Sequence, residues 1–397
     1  MAVKAAVHVV QTHAGKVRGK RSVSVLGDKY VYAFQGIPYA KPPLGELRFR
    51  KPEPPENWTE TVRCATQTPE QCMQFNVRSP RNLLWLPYDQ GKCEDCLYLN
   101  VWAPELNPSA PLPVMVWIHG GGFTEGSATP EDYGPVLAAF GNVVVVSFNY
   151  RLGAFGFLCA ESEQDGAPGN AGLHDQVLAL KWIQLNIAAG GNPGEVTLFG
   201  WSAGAASTGF HLISPGSQTL FQRAIVQSTY KSWSLTRQRN WVEKIASSIK
   251  FAGNGGCSGA GRDLRANKSE DIVACQRTLN ADLDVAVDAF FPGFGPGVFP
   301  PLTGQEMIPK EPSLAADLPG FTDKDVMIGQ TAYEGSNLLY QTFRDQFEEL
   351  PPRLILKNEP INFKGSLEKL IIFDAKKLQR EYPGSSGSMD NRWKSLF

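Results

Sequence analysis

The chain has 397 residues, and 38 lysines and arginines against 39 aspartates and glutamates give it a net charge of −1. A chain so close to neutral lacks the basic excess typical of nucleic-acid-binding proteins. Apolar residues make up 42% and charged residues 19%, which supports a sizeable core and excludes disorder for most of the chain. Since no apolar run approaches the ~18 residues that a membrane-spanning helix needs, we expect no membrane segment in this chain.

The cysteines and glycosylation sequons indicate an oxidising compartment, although the first residues lack the pattern of a signal peptide. Cysteines clustered without nearby histidines favour disulfides over zinc, the alternative being a cytosolic enzyme with free thiols. Sequons begin at Asn57 and Asn267, and such sites are glycosylated on the surface of secreted proteins. We therefore expect a secreted or extracellular glycoprotein without metal or cofactor. The seven cysteines are Cys64, Cys72, Cys93, Cys96, Cys159, Cys257 and Cys275.

Five short β-branched runs predict strands, and their uninterrupted apolar character is typical of a parallel sheet covered on both faces. A helix is predicted over Leu173–Ala189, between the second and third strands, with Gly190-Gly191 as its stop. This order predicts an open, doubly wound α/β sheet. Without repeats or linkers, residues 1–397 read as one domain. The five runs are Val114–Ile118, Val143–Asn149, Val196–Phe199, Ala224–Gln227 and Val326–Gly329.

The sequence Gly-Trp-Ser-Ala-Gly at residues 200–204 directly follows the third predicted strand and precedes a run of small residues. A nucleophile elbow requires this setting, because its serine occupies a strained turn and the flanking glycines leave room for the backbone. The alternative is a loop serine without a chemical role. The strand-turn-helix context favours Ser202 as a nucleophile.

A second motif, His-Gly-Gly-Gly-Phe at residues 119–123, follows the first predicted strand. Consecutive glycines can direct several amide N–H groups at one point, as the oxyanion of a tetrahedral intermediate requires. The alternative is a flexible glycine-rich turn. Together with the elbow, the motif predicts an oxyanion hole formed by the amides of Gly121, Gly122 and Ala203.

A serine nucleophile needs a histidine base and a carboxylate that orients the histidine. Glu334 follows the fifth predicted strand, 132 residues after Ser202, and active sites of open α/β sheets form at the strands' carboxyl ends. Only His211 follows Ser202, and on a helix it would lie about 13 Å away, beyond hydrogen-bonding reach. The sequence thus offers a nucleophile, an oxyanion hole and an acid, but no base. The other histidines are His8, His13, His119 and His174.

These motifs and several others, in order, resemble the type-B carboxylesterase and cholinesterase family of α/β hydrolases from about Gly15 to Phe397. The resemblance implies a mostly parallel α/β-hydrolase sheet and a serine esterase that forms an acyl-enzyme. It also implies the disulfides Cys72–Cys96 and Cys257–Cys275, and places Ser228 beside Glu334. The further segments that carry it are Phe34–Ala40, Pro42–Gly45, Glu94–Asn100, Asn149–Arg151, Gly169–Leu173 and Asp175-Gln176.

The chain also departs from the family pattern. Family members carry their catalytic histidine well past the point where this chain stops, 63 residues after Glu334. We therefore expect a C-terminally truncated, nearly inactive esterase whose domain lacks its C-terminal part. Trp201 stands where the family usually has Glu, and Ala189–Gly191 lacks a Phe. We expect both changes near the reacting centre.

The substrate pocket is less defined by sequence. Trp85 resembles the aromatic residue on which cholinesterases seat a quaternary ammonium, and a hydrophobic loop residue is the alternative. Trp233 and Phe294 are candidates for an acyl pocket or for ordinary core packing. The resemblance therefore implies hydrolysis of small-molecule esters, with choline esters as one alternative. A second hypothesis is a non-catalytic cholinesterase-like binding or adhesion protein.

Overall fold

One mixed β-sheet organises the part of the chain that the computed structural model describes. The described residues are 7–23, 29–74, 91–128, 133–160, 166–229, 269–281, 301–310 and 323–330. They all belong to one compact unit, Met1–Gln330. Within these ranges no helix combines the length and apolar character needed to cross a membrane.

Ten of the described strands form this sheet, in the order β1-β2-β3-β7-β9-β8-β10-β11-β12, with β4 beside β2. Strands β9, β8, β10, β11 and β12 run parallel, which confirms the five predicted strands and their parallel arrangement. The antiparallel strands β1, β2, β3 and β7 extend it on the other side. The ten are β1 Val7–Gln11, β2 Gly15–Val23, β3 Tyr30–Pro38, β4 Trp58–Cys64, β7 Tyr98–Ala103, β8 Leu112–Ile118, β9 Val144–Phe148, β10 Gly191–Trp201, β11 Arg223–Gln227 and β12 Asp325–Gly329.

The described helices include the crossovers that connect parallel strands. The predicted crossover helix is observed as α3, Ala171–Asn186, followed by a 3₁₀ turn at Ile187–Ala189. The helix stops where Gly190-Gly191 predicts, and Gly190 caps the 3₁₀ turn with a φ of −163°. The others are α1 Tyr133–Gly141, α2 Gly153–Phe157, α4 Ala203–Ile213 and α5 Ser269–Thr278.

The core lies around the centre of the parallel strands. Every residue of β9 is buried, as its continuous apolar sequence predicts for a strand covered on both faces. Burial weakens toward β12, where Met327 is 65% exposed.

A short strand pair, β5 Gln71–Cys72 and β6 Lys92–Cys93, lies outside the main sheet. Next to it Cys72 and Cys96 form a disulfide with an S–S distance of 2.06 Å, the pairing that the family resemblance implies. Cys275 is also disulfide-bonded, and Cys257 lies outside the described residues. In the described part of the chain Cys64, Cys93 and Cys159 form no disulfide.

A buried ion pair joins the end of β9 to α3. Arg151 donates from Nε and Nη2 to the two carboxylate oxygens of Asp175, at 2.8 and 2.6 Å, and its backbone N–H donates to Oδ2 at 3.0 Å. The two side chains are only 3% and 0% exposed. Removing one partner of such a pair leaves an uncompensated charge in the core.

We expect Asp175→Asn to lower the free energy of unfolding by about 3–5 kcal/mol, since the Arg151 charge would stay buried without its carboxylate. Urea denaturation would measure the loss. Asp325→Asn is the matched control, because Asp325 and Arg223 form an exposed pair at 3.6 Å, worth at most about 1 kcal/mol. Equal losses in the two variants would contradict the role assigned to the buried pair.

Candidate active site

Ser202 lies in a strained turn between β10 and α4. Its backbone has φ 56° and ψ −121°, a conformation that L-residues rarely adopt and that functional sites tend to retain. A Cβ on Gly204 would lie 2.0 Å from the carbonyl oxygen of Ile118, and one on Gly200 would lie 2.4 Å from the backbone of Gly204. The two flanking glycines are therefore required for the tight packing of this turn.

The carboxyl ends of three parallel strands are tied to one another beside this turn. The backbone N–H of Ser202 donates to the carbonyl of Gln227, at the end of β11, at 3.0 Å. One residue further on, the N–H of Ser228 donates to Gly329, at the end of β12, at 2.8 Å. Ser228 also has a positive φ, 55°. Glu334 follows Gly329 by five residues in the sequence and lies outside the described residues.

In the glycine-rich loop after β8, residues 119–126, specific hydrogen bonds hold the carbonyls of Gly120 and Gly121. His119 Nδ1 donates to Gly120 O at 2.9 Å, since a carbonyl can only accept. The N–H groups of Thr124 and Glu125 both donate to Gly121 O at 3.0 Å. In a planar trans peptide the C=O and the following N–H point in opposite directions. These bonds therefore set the directions of the Gly121 and Gly122 amides.

The third candidate amide belongs to Ala203, the first residue of α4. Ser202 O accepts the helical bond from Ala206 N–H at 2.9 Å, so the Ala203 N–H points out of the helix's amino end. The amides of Gly121, Gly122 and Ala203 make no backbone hydrogen bond to another described residue. Gly120 packs against the elbow itself, because a Cβ there would lie 3.1 Å from Ser202 Cβ. Three N–H groups without a backbone partner in the described part of the chain thus lie on the two segments that meet at Ser202.

Burial keeps three of the histidines uncharged. It lowers the pKa of His119 to about 4, and that of His211 to about 3. For His174 burial also dominates, with a smaller contribution from Lys51, and lowers the pKa to about 4. A neutral imidazole can act as a general base, but only if it lies within hydrogen-bonding distance of the nucleophile.

None of the five histidines, all of which are described, hydrogen-bonds to Ser202. Both ring nitrogens of His211 are engaged, Nε2 with Gln176 Oε1 at 2.9 Å and Nδ1 with Ser217 Oγ at 3.0 Å. His211 is thus a fully buried core residue on α4, in agreement with the sequence-based expectation that it is not the base. His8 packs edge-on against Tyr32, and His13 is exposed.

Some of the remaining predicted positions lie in the described part of the chain and others lie outside it. Asn57 is exposed immediately before β4, as a glycosylation acceptor must be. Trp201 is the last residue of β10 and is 36% exposed, with its ring against Gly120. The expectation that Ala189–Gly191 lies near the reacting centre is wrong. Gly191 is the first residue of β10, whereas Ser202 follows the last residue of the same strand. Four further predicted residues, Trp85, Trp233, Phe294 and Asn267, lie outside the described residues.

Sequence reasoning missed the residues that hold the glycine-rich loop. Gln74 bonds to Gly126, and Tyr150 donates its hydroxyl to His119 O at 2.9 Å. Only the three-dimensional structure brings these residues together, and no motif marks Gln74.

A mixed doubly wound sheet with a serine elbow and a glycine-rich loop at the carboxyl ends of its parallel strands defines an α/β hydrolase. The carboxylesterase family model matches residues 6–380. The chain therefore belongs to the carboxylesterase family, as the sequence motifs imply.

Individual relatives include esterases and cholinesterases. Esterase B1 from Culex pipiens is 55% identical over 386 residues, covering 96% of this chain and 69% of that protein. Acetylcholinesterase-1 from Trittame loki is 38% identical over 86% of this chain and 60% of its own length. Cocaine esterase from Oryctolagus cuniculus is 42% identical over 75% of this chain and 55% of its own length. The matched part thus spans between about half and 69% of these relatives.

We expect Gly204→Ala to disrupt the elbow, because the new methyl group would overlap the Ile118 carbonyl and neither backbone can shift without moving a strand. The expected loss of stability is about 3 kcal/mol or more, in the range of severe core overpacking. Thermal unfolding would measure it. Gly141→Ala, at the end of α1, is the control, since its Cβ would meet Val143 at an ordinary 3.4 Å and should cost little. A tolerated Gly204→Ala would disprove the close approach.

The buried histidines predict a loss of stability in mild acid. Unfolding returns each pKa to about 6.5, so the unfolded chain binds protons that the folded chain does not, and stability falls as pH drops from about 6.5 toward 4. Each shift of one pKa unit corresponds to about 1.4 kcal/mol. Urea denaturation of His211→Gln between pH 7 and 4.5 should give a shallower pH dependence. The exposed-site variant His13→Gln should keep the original slope, and equal slopes in all three proteins would refute this origin.

Proposed function

We propose that the protein is a serine carboxylic ester hydrolase that acts through an acyl-enzyme. The observation that carries the proposal is the strained Ser202 turn packed against a loop whose amides have no backbone partner among the described residues. Membership of the carboxylesterase family supports the same chemistry. Ser202 acts as the nucleophile, Glu334 as the acid that orients the base, and Ser228 as its neighbour.

In the first step Ser202 Oγ bonds to the ester carbonyl carbon while its proton passes to a base. The carbonyl electron pair moves to the oxygen, and the N–H groups of Gly121, Gly122 and Ala203 stabilise that oxyanion. Collapse of the intermediate breaks the bond to the alcohol, which leaves with a proton. Water then attacks the acyl-serine by the same route, and releases the acid and the free hydroxyl.

We propose that none of the five histidines serves as the base of this mechanism. His211 is held in the core by Gln176 and Ser217, and His119 donates from Nδ1 to Gly120 O. We therefore propose that this chain hydrolyses esters only slowly. Loss of the histidine in a serine hydrolase triad costs about 10⁶ in turnover.

The proposed substrates are small esters. The pocket residues are those that the sequence suggests. Trp201 directly precedes Ser202, where the family usually has a carboxylate, and its ring packs against Gly120. Trp85, Trp233 and Phe294 are proposed as further pocket residues. The Cys72–Cys96 disulfide and the exposed Asn57 support secretion as a glycoprotein, because disulfides persist in oxidising compartments.

Hydrolysis of p-nitrophenyl butyrate by the purified chain, with and without added imidazole, tests the proposal. The protein-free rate at each imidazole concentration is subtracted, because imidazole alone also cleaves nitrophenyl esters. We expect a rate barely above background that rises with imidazole, because a free imidazole can serve as the external base. Ser202→Ala should abolish the increase. As control, Ser217→Ala removes another buried hydroxyl on the far side of α4 and should retain it.

Two outcomes would contradict this account in different ways. Turnover at an ordinary enzyme rate without imidazole, lost in Ser202→Ala, would mean that one of the five histidines is the base. No Ser202-dependent hydrolysis under any condition would overturn the esterase assignment and favour a non-catalytic binding protein.

A further inference from the structure

The side-chain amide of Gln74 pairs with both backbone polar groups of one residue in the glycine-rich loop. Gly126 N–H donates to Gln74 Oε1 at 2.9 Å, and Gln74 Nε2 donates to Gly126 O at 2.9 Å. The second proton of Nε2 reaches Cys72 O at 3.0 Å. Gln74 is 7% exposed. A carboxamide suits this buried position, because it accepts one hydrogen bond at its oxygen while its nitrogen donates two.

The backbone of Gln74 belongs to the segment that the Cys72–Cys96 disulfide closes, called here the disulfide-closed segment. Cys72, two residues earlier, is bonded to Cys96 and lies in the β5–β6 pair. Lys92 Nζ donates to the Gln74 backbone carbonyl at 2.8 Å. The amide of Gln74 therefore projects from a segment that is held by a covalent bond, a strand pair and a lysine.

Gly126 in turn packs directly against His119 Nδ1 and Gly120 O, whose hydrogen bond orients the Gly121 amide. A Cβ on Gly126 would lie 2.4 Å from His119 Nδ1 and 2.5 Å from Gly120 O, the donor and acceptor of the bond described above. Gly126 also has a φ of 118°, in the region that favours glycine. A displacement of Gly126 would therefore open or close the space in which the His119 imidazole meets Gly120 O.

We propose that Gln74 is a positioning residue for the oxyanion hole. It fixes Gly126, Gly126 confines the His119 ring against Gly120 O, and that bond aims the Gly121 amide. The disulfide-closed segment thereby supports the hole from outside the parallel sheet. This inference rests on the proposed esterase function, because the amide matters for rate only if an oxyanion forms there.

Gln74→Met tests the inference, since it keeps the side chain's length and removes all three of its hydrogen bonds. We expect kcat for imidazole-assisted, Ser202-dependent hydrolysis of p-nitrophenyl butyrate to fall on the order of tenfold or more, while KM stays nearly unchanged. An interaction made only with the developing oxyanion lowers kcat without weakening substrate binding. Amide hydrogen exchange in the peptide that contains residues 119–126 should become faster.

Gln74→Glu separates the two functions of the amide. The carboxylate can still accept from Gly126 N–H but opposes the carbonyls of Gly126 and Cys72, so we expect a kcat no higher than that of Gln74→Met. Gln184→Met is the matched control. Gln184 Nε2 also donates to two backbone carbonyls, Pro193 O at 2.9 Å and Leu220 O at 3.0 Å, on segments that make no part of the loop.

The control should keep both kcat and the exchange rate of residues 119–126. Unchanged exchange and kcat in Gln74→Met would overturn the inference, as would equal losses in Gln184→Met, which would indicate general destabilisation. If the unmodified chain shows no Ser202-dependent hydrolysis, the esterase function fails, and exchange alone decides on Gln74. Faster exchange of residues 119–126 confined to the Gln74 variants would still support its effect on the loop, and unchanged exchange would reject it.

Discussion

The candidate site depends on one close approach, that of the first turn of α4 to the end of β8. Gly204 stands so near the Ile118 carbonyl that no side chain fits between them. This contact brings the elbow that follows β10 against the loop that follows β8, although residues 119–190 separate the two strands in sequence. Ser202 lies beside the glycine-rich loop because these two backbone segments are in contact, and a larger residue at position 204 would push them apart.

Rigidity of the glycine-rich loop follows from contacts with buried strands and not from its own composition. Gly153 N–H donates to Phe123 O at 2.7 Å. Asn149 Oδ1 accepts from Ala128 N–H at 2.7 Å, and Ser147 Oγ donates to Ala128 O at 2.5 Å. These donors and acceptors lie on β9 or directly after it, and β9 is buried on both faces. A sequence of three glycines is thus held in one conformation by the most enclosed strand of the sheet.

Sequence alone predicts the parts of this molecule that depend on local patterns. The five parallel strands, the crossover helix and the elbow follow from apolar runs and from glycine spacing. The end of the helix is also predicted, because the 3₁₀ turn that finishes it stops at Gly190. Gln74 was not predicted at all, since its partner Gly126 is 52 residues away and a buried glutamine carries no periodic signal. Long-range hydrogen bonds of this kind become visible only once the strand order is known.

The site maintains two unfavourable features at once, a positive φ at Ser202 and amides without backbone partners. Backbone strain of this kind costs about 1–3 kcal/mol. An unsatisfied donor costs about 1–3 kcal/mol when it is buried, as Ala203 is. Neither cost is relieved by any described residue, so the stability must come from elsewhere, notably the enclosed β9 and the Arg151–Asp175 pair. An oxyanion bound at Ser202 would satisfy the amides and remove part of that cost.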